Sequence, residues 1–169
     1  MKILILSFIA IILRGYIETP NFAPMGALAI AASYYFKSKI NAALVFFTIL
    51  FASDLTIQTY DLQLMLMVYM SYIGYIISRS PLIGSFVFFL LSNTAVYFTS
   101  TYYNNPLEAI IAGLPFYKYT LISDLFFWHT YGAIDRWQSP SRDGWFTISK
   151  TACSRLRCIV LFIVLFWIL

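Results

Sequence analysis

Three stretches of the chain, residues 40–52, 62–78 and 80–107, contain no charged side chain at all. A helix needs roughly 20 predominantly apolar residues to cross a bilayer, with a range of about 17–25. Runs of this kind constrain the fold more than any motif does. The whole chain is 61% apolar, 20% aromatic and only 11% charged. Soluble domains are nearer 45–50% apolar and about 25% charged, so this chain lacks the polar residues needed to cover a water-facing surface. The expectation is an all-α, polytopic membrane protein.

Six transmembrane helices are predicted, over about 2–13, 24–36, 40–57, 62–78, 82–99 and 116–134. Before the sixth, "NPLEAIIAG" reads as a short separate interfacial helix, opened by Pro106 and ended by Gly113 and Pro115. The first span is expected to be retained, because no small-x-small cleavage pattern follows it. Residues 1–135 form one expected domain. Residues 136–169 read as a basic cytoplasmic tail with a short apolar end. That end is too short to span, and the free thiols of Cys153 and Cys158 lie beside it.

Lys and Arg placement sets the orientation. With six spans, one side holds Lys2, Lys37, Lys39, Arg79, Arg136, Arg142, Lys150, Arg155 and Arg157, nine of the 11 basic residues. The other side holds Arg14 and Lys118, with Glu18, Asp61 and Glu108. Both termini are therefore expected in the cytoplasm, in a multi-pass protein of the cell inner (plasma) membrane. The net charge of +4 follows from these loops and is not a nucleic-acid signal.

Within the apolar runs the tripeptide Ser-Asp-Leu occurs twice, at 53–55 and at 123–125. Counted from the predicted outer ends, Asp54 lies about 5 Å deep, Asn93 about 9 Å and Asp124 about 12 Å. All three fall in the expected outer half, on the side of the "ETPNFAP" loop that carries Asn21. An aspartate at the centre of a span costs about 2.5–3.5 kcal/mol on insertion scales, so it should face the bundle or a wet cavity. Tyr117, Thr120, Asp124, Trp128 and Tyr131 recur at helical spacing, as do Phe86, Phe89, Asn93 and Tyr97. Aromatic walls with a few converging polar groups describe a small-molecule pocket. The expectation is that Asp124, supported by Asn93, contacts the ligand, with Asp54 at the rim.

Plainer uses stand beside this one. Asp54 is within reach of lipid headgroups or Lys118, Asn93 has the character of an interhelical clamp, and Asp124 has Lys118 as a candidate ion-pair partner. His129 reads as a hydrogen-bonded core histidine. An enzyme is not expected. The aspartates lack the Gly-x-Gly-Asp context of intramembrane aspartyl proteases, no aspartate cluster would hold magnesium, and the single His completes no triad. No cofactor and no metal site is expected.

"PNFAPMGALAIAASYYF", "SDL" closing the third span, "FFLLSNTAVYF" and "GLPFYKYTLISDLFFW" occur in that order. Together they resemble an uncharacterised branch of integral membrane proteins similar to the substrate-binding (S) component of energy-coupling factor (ECF) vitamin transporters. The resemblance covers roughly residues 15–135. It implies a six-helix bundle, an outward-facing pocket for a vitamin-like molecule, and partners in a transmembrane coupling subunit and its ATPases. By analogy Asn21, Asp54, Asn93 and Asp124 would line or brace the pocket. The first span lacks the Ala-x-x-x-Ala pair that many S components use for docking. Ala27 and Ala31 have that spacing, but on the second span. The rival expectation is a structural or assembly membrane protein with no ligand, its polar residues only locking the bundle.

Overall fold

The computed structural model describes residues 2–16, 22–55 and 61–138. Asn21 and the tail beyond residue 138, with both cysteines and the terminal apolar run, lie outside the described residues. The described chain is all-helical: α1 Lys2–Tyr16, α2 Met25–Tyr35, α3 Lys39–Asp54, α4 Leu62–Ser71, α5 Ile73–Ser78, α6 Pro81–Thr99 and α7 Pro106–Gln138. Only Tyr72 separates α4 from α5. The amides of Tyr72 and Tyr75 donate to carbonyls three residues back, at 3.1 and 3.0 Å. That is a 3₁₀ step within one rod, so the seven helices make six rods.

Helix boundaries follow local chemistry. The α7 start is a capping box. Asn105 Oδ1 accepts the Glu108 amide at 3.0 Å, while the Glu108 carboxylate accepts the Asn104 amide at 2.9 Å. Between α5 and α6, Arg79 adopts the left-handed conformation, φ 53°. This costs a residue with a Cβ about 1–2 kcal/mol. The side chain offsets it: Nη2 donates to Ser33 O at 2.7 Å, and the guanidinium lies 5.0 Å from the Tyr34 ring centre. Pro81 then opens α6, where a missing N–H costs nothing.

One expectation is corrected here. "NPLEAIIAG" is not a separate helix, because α7 runs unbroken for 33 residues through Pro115. Proline removes one helical hydrogen bond, and long helices in apolar surroundings tolerate this when neighbouring helices hold the backbone. Here α7 packs along α6, and the close seat of Gly113 on Asn93 keeps the two together across the proline.

The helix α2 is the axis of the bundle. Met25 to Ser33 are all buried, and α2 packs against α1, α3, α5, α6 and α7. Its run of Gly, Ala and Ser lets five neighbours approach closely. Ala27 and Ala31 are 1% and 2% exposed. They pack helices together inside the bundle and are not a docking surface.

The core is mainly apolar but also holds polar side chains, while large apolar side chains cover the outside. Ser33, Ser53, Asp54, Ser71, Ser85, Ser123 and Asp124 are buried, while Leu4, Phe8, Ile40, Leu44, Leu82, Phe98, Leu107 and Phe126 are exposed. Ser7, Ser33, Ser71 and Ser85 satisfy their hydroxyls on carbonyls of their own helices. Two segments, Pro81–Thr99 and Pro106–Gly132, are long and apolar enough to cross a membrane, and only 22% and 28% of their apolar windows are buried. The core helix of a soluble protein would be mostly buried. The 19 residues of α6 rise about 28 Å, close to the roughly 30 Å hydrocarbon layer.

Candidate functional site

The two Ser-Asp-Leu copies occupy different environments. In the first, Asp54 ends α3 and is buried. Arg14 Nη1, from the last turn of α1, lies 2.6 Å from its Oδ1 and 3.3 Å from Ser53 Oγ. From α4, the Tyr69 hydroxyl donates to Oδ2 at 2.5 Å. Three rods therefore meet on one carboxylate whose charge is already matched. The partner is Arg14; Lys118, one of the alternatives open to Asp54 from sequence, has its ammonium 4.9 Å from the Tyr119 ring centre. Arg14 and Asp54 both end helices that finish on the same side of the bundle, which brings them together.

In the second copy Asp124 is 2% exposed. The Tyr75 hydroxyl donates to its Oδ2, and no cation among the described residues pairs with it. Two glycines make this contact possible. A Cβ on Gly26 would lie 2.2 Å from Asp124 Oδ1 and 2.8 Å from Tyr75 Cε1. A Cβ on Gly84 would lie 2.1 Å from Tyr75 Cδ1. The tyrosine ring thus fills a slot between α2 and α6, and its hydroxyl meets α7. Beside it, Ser123 Oγ donates to Ala23 O at 2.9 Å, and Phe22 lies against Phe127 with ring centres 5.8 Å apart. This is non-helical backbone inside the bundle.

The reason is the length of α2. Its 11 residues rise about 16 Å, about 12 Å less than α6. The Arg79–Ser33 bond joins the Tyr35 end of α2 to the Pro81 end of α6. The other end of α2 therefore stops well inside, and residues 22–24 lie at depth. In hydrocarbon, non-helical backbone persists only where protein buries it or where it lines a water-filled cavity.

The depth of Asp124 is corrected. It lies 18 residues into α7, about 27 Å from Pro106. Its partner Tyr75 packs on Gly84, the fourth residue of α6. Asp124 therefore sits near the Pro81 end of the bundle, away from Asp54. Counting from Phe116 placed it too shallow, because the helix starts ten residues earlier. The expected support from Asn93 is also corrected. Asn93 Oδ1 would touch a Cβ on Gly113 at 2.1 Å, and Gly113 is 11 residues, about 16 Å, from Asp124 along α7. Asn93 Nδ2 donates to Phe89 O of its own helix at 2.7 Å. Its hydrogen bond thus stays within α6, and Asn93 meets α7 by close packing on Gly113 and not as an interhelical hydrogen-bond clamp.

The remaining expected residues separate along the same axis. Tyr117 packs against Phe89, with ring centres 4.7 Å apart, and Thr120 Oγ1 donates to Phe116 O at 3.3 Å. Tyr97 is half-buried beside Phe98 near the Thr99 end. The buried stripe of α7 runs through Thr120, Asp124, Phe127 and Tyr131. Trp128 and His129 are half-buried, edge-on to one another at 5.1 Å. Sequence reasoning missed Arg14, Tyr69, Tyr75, Gly26 and Gly84. The two tyrosines were discoverable, since Tyr69, Tyr72 and Tyr75 recur every three residues along one helix face.

No group of three or more metal-ligating His, Cys, Asp or Glu side chains occurs among the described residues. No curated protein and no solved structure matches the chain. Residues 1–135 match the model of a family of unknown function, DUF6580, and the chain belongs to that family.

Proposed function

We propose that this chain is a multi-pass protein of the inner (plasma) membrane, with six spans and both termini cytoplasmic. In this reading it captures a small vitamin-like molecule from outside, as the S component of an importer of the ECF kind. The observation that carries the proposal is the second Ser-Asp-Leu. A buried carboxylate with no cationic partner among the described residues stands at the foot of a non-helical segment, where α2 stops short of the bundle's far end. Interrupted helices with polar groups at depth are where membrane transporters hold their cargo, and an intramembrane carboxylate is functional by default. The coupling subunit would dock on a surface other than Ala27 and Ala31, which are interior.

The test is native mass spectrometry of the full chain purified in mild detergent, with a thermal-shift screen of vitamins and related molecules. Capture predicts a released small molecule that raises the melting temperature when added back, the stabilisation being about 2.7 kcal/mol at a hundredfold excess over Kd. A structural bundle is favoured by the fully partnered Arg14–Asp54–Tyr69 cluster. It predicts neither a released molecule nor stabilisation.

Topology is tested independently. In a chain whose two cysteines are replaced by serine, a cysteine at exposed Asn104 reacts with a membrane-impermeant maleimide in intact cells. One at exposed Ser38 reacts only after the cells are opened. The reverse pattern inverts the orientation, and reaction of both in intact cells removes the six-span arrangement.

A further inference from the structure

The bundle holds two buried aspartates, and only one has its charge matched. Asp54 faces Arg14 at 2.6 Å. Around Asp124, the packed helices α2, α5 and α6 contain no Lys, Arg, His, Asp or Glu, and Arg79, which caps α5 at that end, is engaged by Ser33 O and the Tyr34 ring. On α7 itself, Lys118 is six residues away and lies over the Tyr119 ring, and His129 is five residues away, edge-on to Trp128. A carboxyl buried without a counter-ion either holds a proton or opposes folding, and a cation arriving from elsewhere is the partner that would favour its ionised form.

The surroundings show what kind of partner fits. The rings of Phe22, Tyr75, Phe127 and Tyr131 gather on this stretch of α7. Aromatic faces beside a carboxylate recognise organic cations, because the ring quadrupole and the anion both favour positive charge. A second, independent feature is the Tyr131 hydroxyl, which is buried and has no hydrogen-bond partner. Side chains on a helix lean towards its N-terminus. Tyr131 lies two turns beyond Asp124 on the same buried stripe, with its ring centre 6.3 Å from that of Phe127, one turn nearer the carboxylate.

Resting on the capture reading, we infer that the substrate is a small organic cation, an amine or quaternary ammonium with a hydrogen-bonding group. Asp124 receives its charge, and the Tyr131 hydroxyl receives its polar group. Asp54, already neutralised by Arg14, takes no part in binding.

The experiment uses the full chain in detergent and four matched probes at millimolar concentration: benzylamine, benzyltrimethylammonium, benzyl alcohol and benzoate. Without ligand, Asp124→Asn melts at or above the wild-type temperature, whereas Asp54→Asn melts lower. Of the probes, the two cations raise the wild-type melting temperature and the other two do not. Asp124→Asn weakens cation binding at least tenfold, and Asp124→Glu retains the preference for cations. Equal binding of neutral and cationic probes, or a cation preference surviving in Asp124→Asn, overturns the charge assignment and leaves capture standing. A marked drop in melting temperature for ligand-free Asp124→Asn makes the aspartate a structural clamp and overturns the assignment as well. If no probe binds and no molecule is released from the purified protein, the capture reading falls with it.

Discussion

Replacing Arg14 by methionine lowers the stability of the folded chain by about 3–5 kcal/mol, the cost of stranding one member of a buried ion pair. The expectation rests on where the charge would be left. Asp54 is buried at the end of α3, and without Arg14 it keeps only the Tyr69 hydroxyl and whatever water reaches it. The loss reaches beyond the pair, because Arg14 and Tyr69 bring α1 and α4 to the end of α3. The double variant Arg14→Met, Asp54→Leu removes both charges and recovers most of the stability, since an apolar replacement of a buried pair is often neutral or favourable. Denaturant titration of the four proteins of this cycle checks it. A loss below about 1 kcal/mol in Arg14→Met would place the pair in the class of solvent-screened surface bridges.

Much of the local architecture was written in short-range signals. "SPL" sets the start of α6 and "NPLE" the start of α7, because proline at the first helical position and a capping box act within four residues. Asp124 is expected to face the bundle and Asp54 its rim, and both aspartates are buried, because a carboxylate in an apolar run has no better place. What the sequence did not contain is the axial register between helices. Depth along one span can be counted, but which residue of a neighbour stands at that depth depends on how far each helix slides. The shortness of α2 moved its first turn to the level of Asp124, and the unbroken start of α7 moved Asp124 away from Asn93. Pairing depends on the same register. Arg14 and Lys118 are both on the expected outer side, and nothing local says that Arg14 is the one that reaches Asp54. Glycines gave the weakest signal, since a missing side chain shows its purpose only when the neighbour occupying its space is known.

Gly84→Ala should therefore be among the most damaging small substitutions in the chain, although alanine is the better helix former by about 1 kcal/mol. The new methyl would lie 2.1 Å from Tyr75 Cδ1 and 2.7 Å from Cγ and Cε1, so the whole ring must move. Its position is constrained from two more sides, because its Cε1 would also lie 2.8 Å from a Cβ on Gly26 of α2 and its hydroxyl is held by Asp124. Overpacking of this kind costs about 1–3 kcal/mol and occasionally more, and here it also pulls the hydroxyl from a buried carboxylate. Gly26→Ala should act alike, since its methyl would strike Asp124 Oδ1 at 2.2 Å. Gly15→Ala is the control, with nothing within 4 Å of the added carbon, and it should be neutral or slightly stabilising. The suppressor separates a clash with the ring from a general intolerance of α6. Tyr75→Phe keeps the ring and should not rescue Gly84→Ala, whereas Tyr75→Ala removes it and makes the second substitution nearly harmless. Thermal melts of the single and double variants measure that coupling. If Gly84→Ala melts like wild type, or costs as much with Tyr75→Ala as without, then Gly84 does not shape the slot that seats Tyr75, and Asp124 is held in place by other contacts.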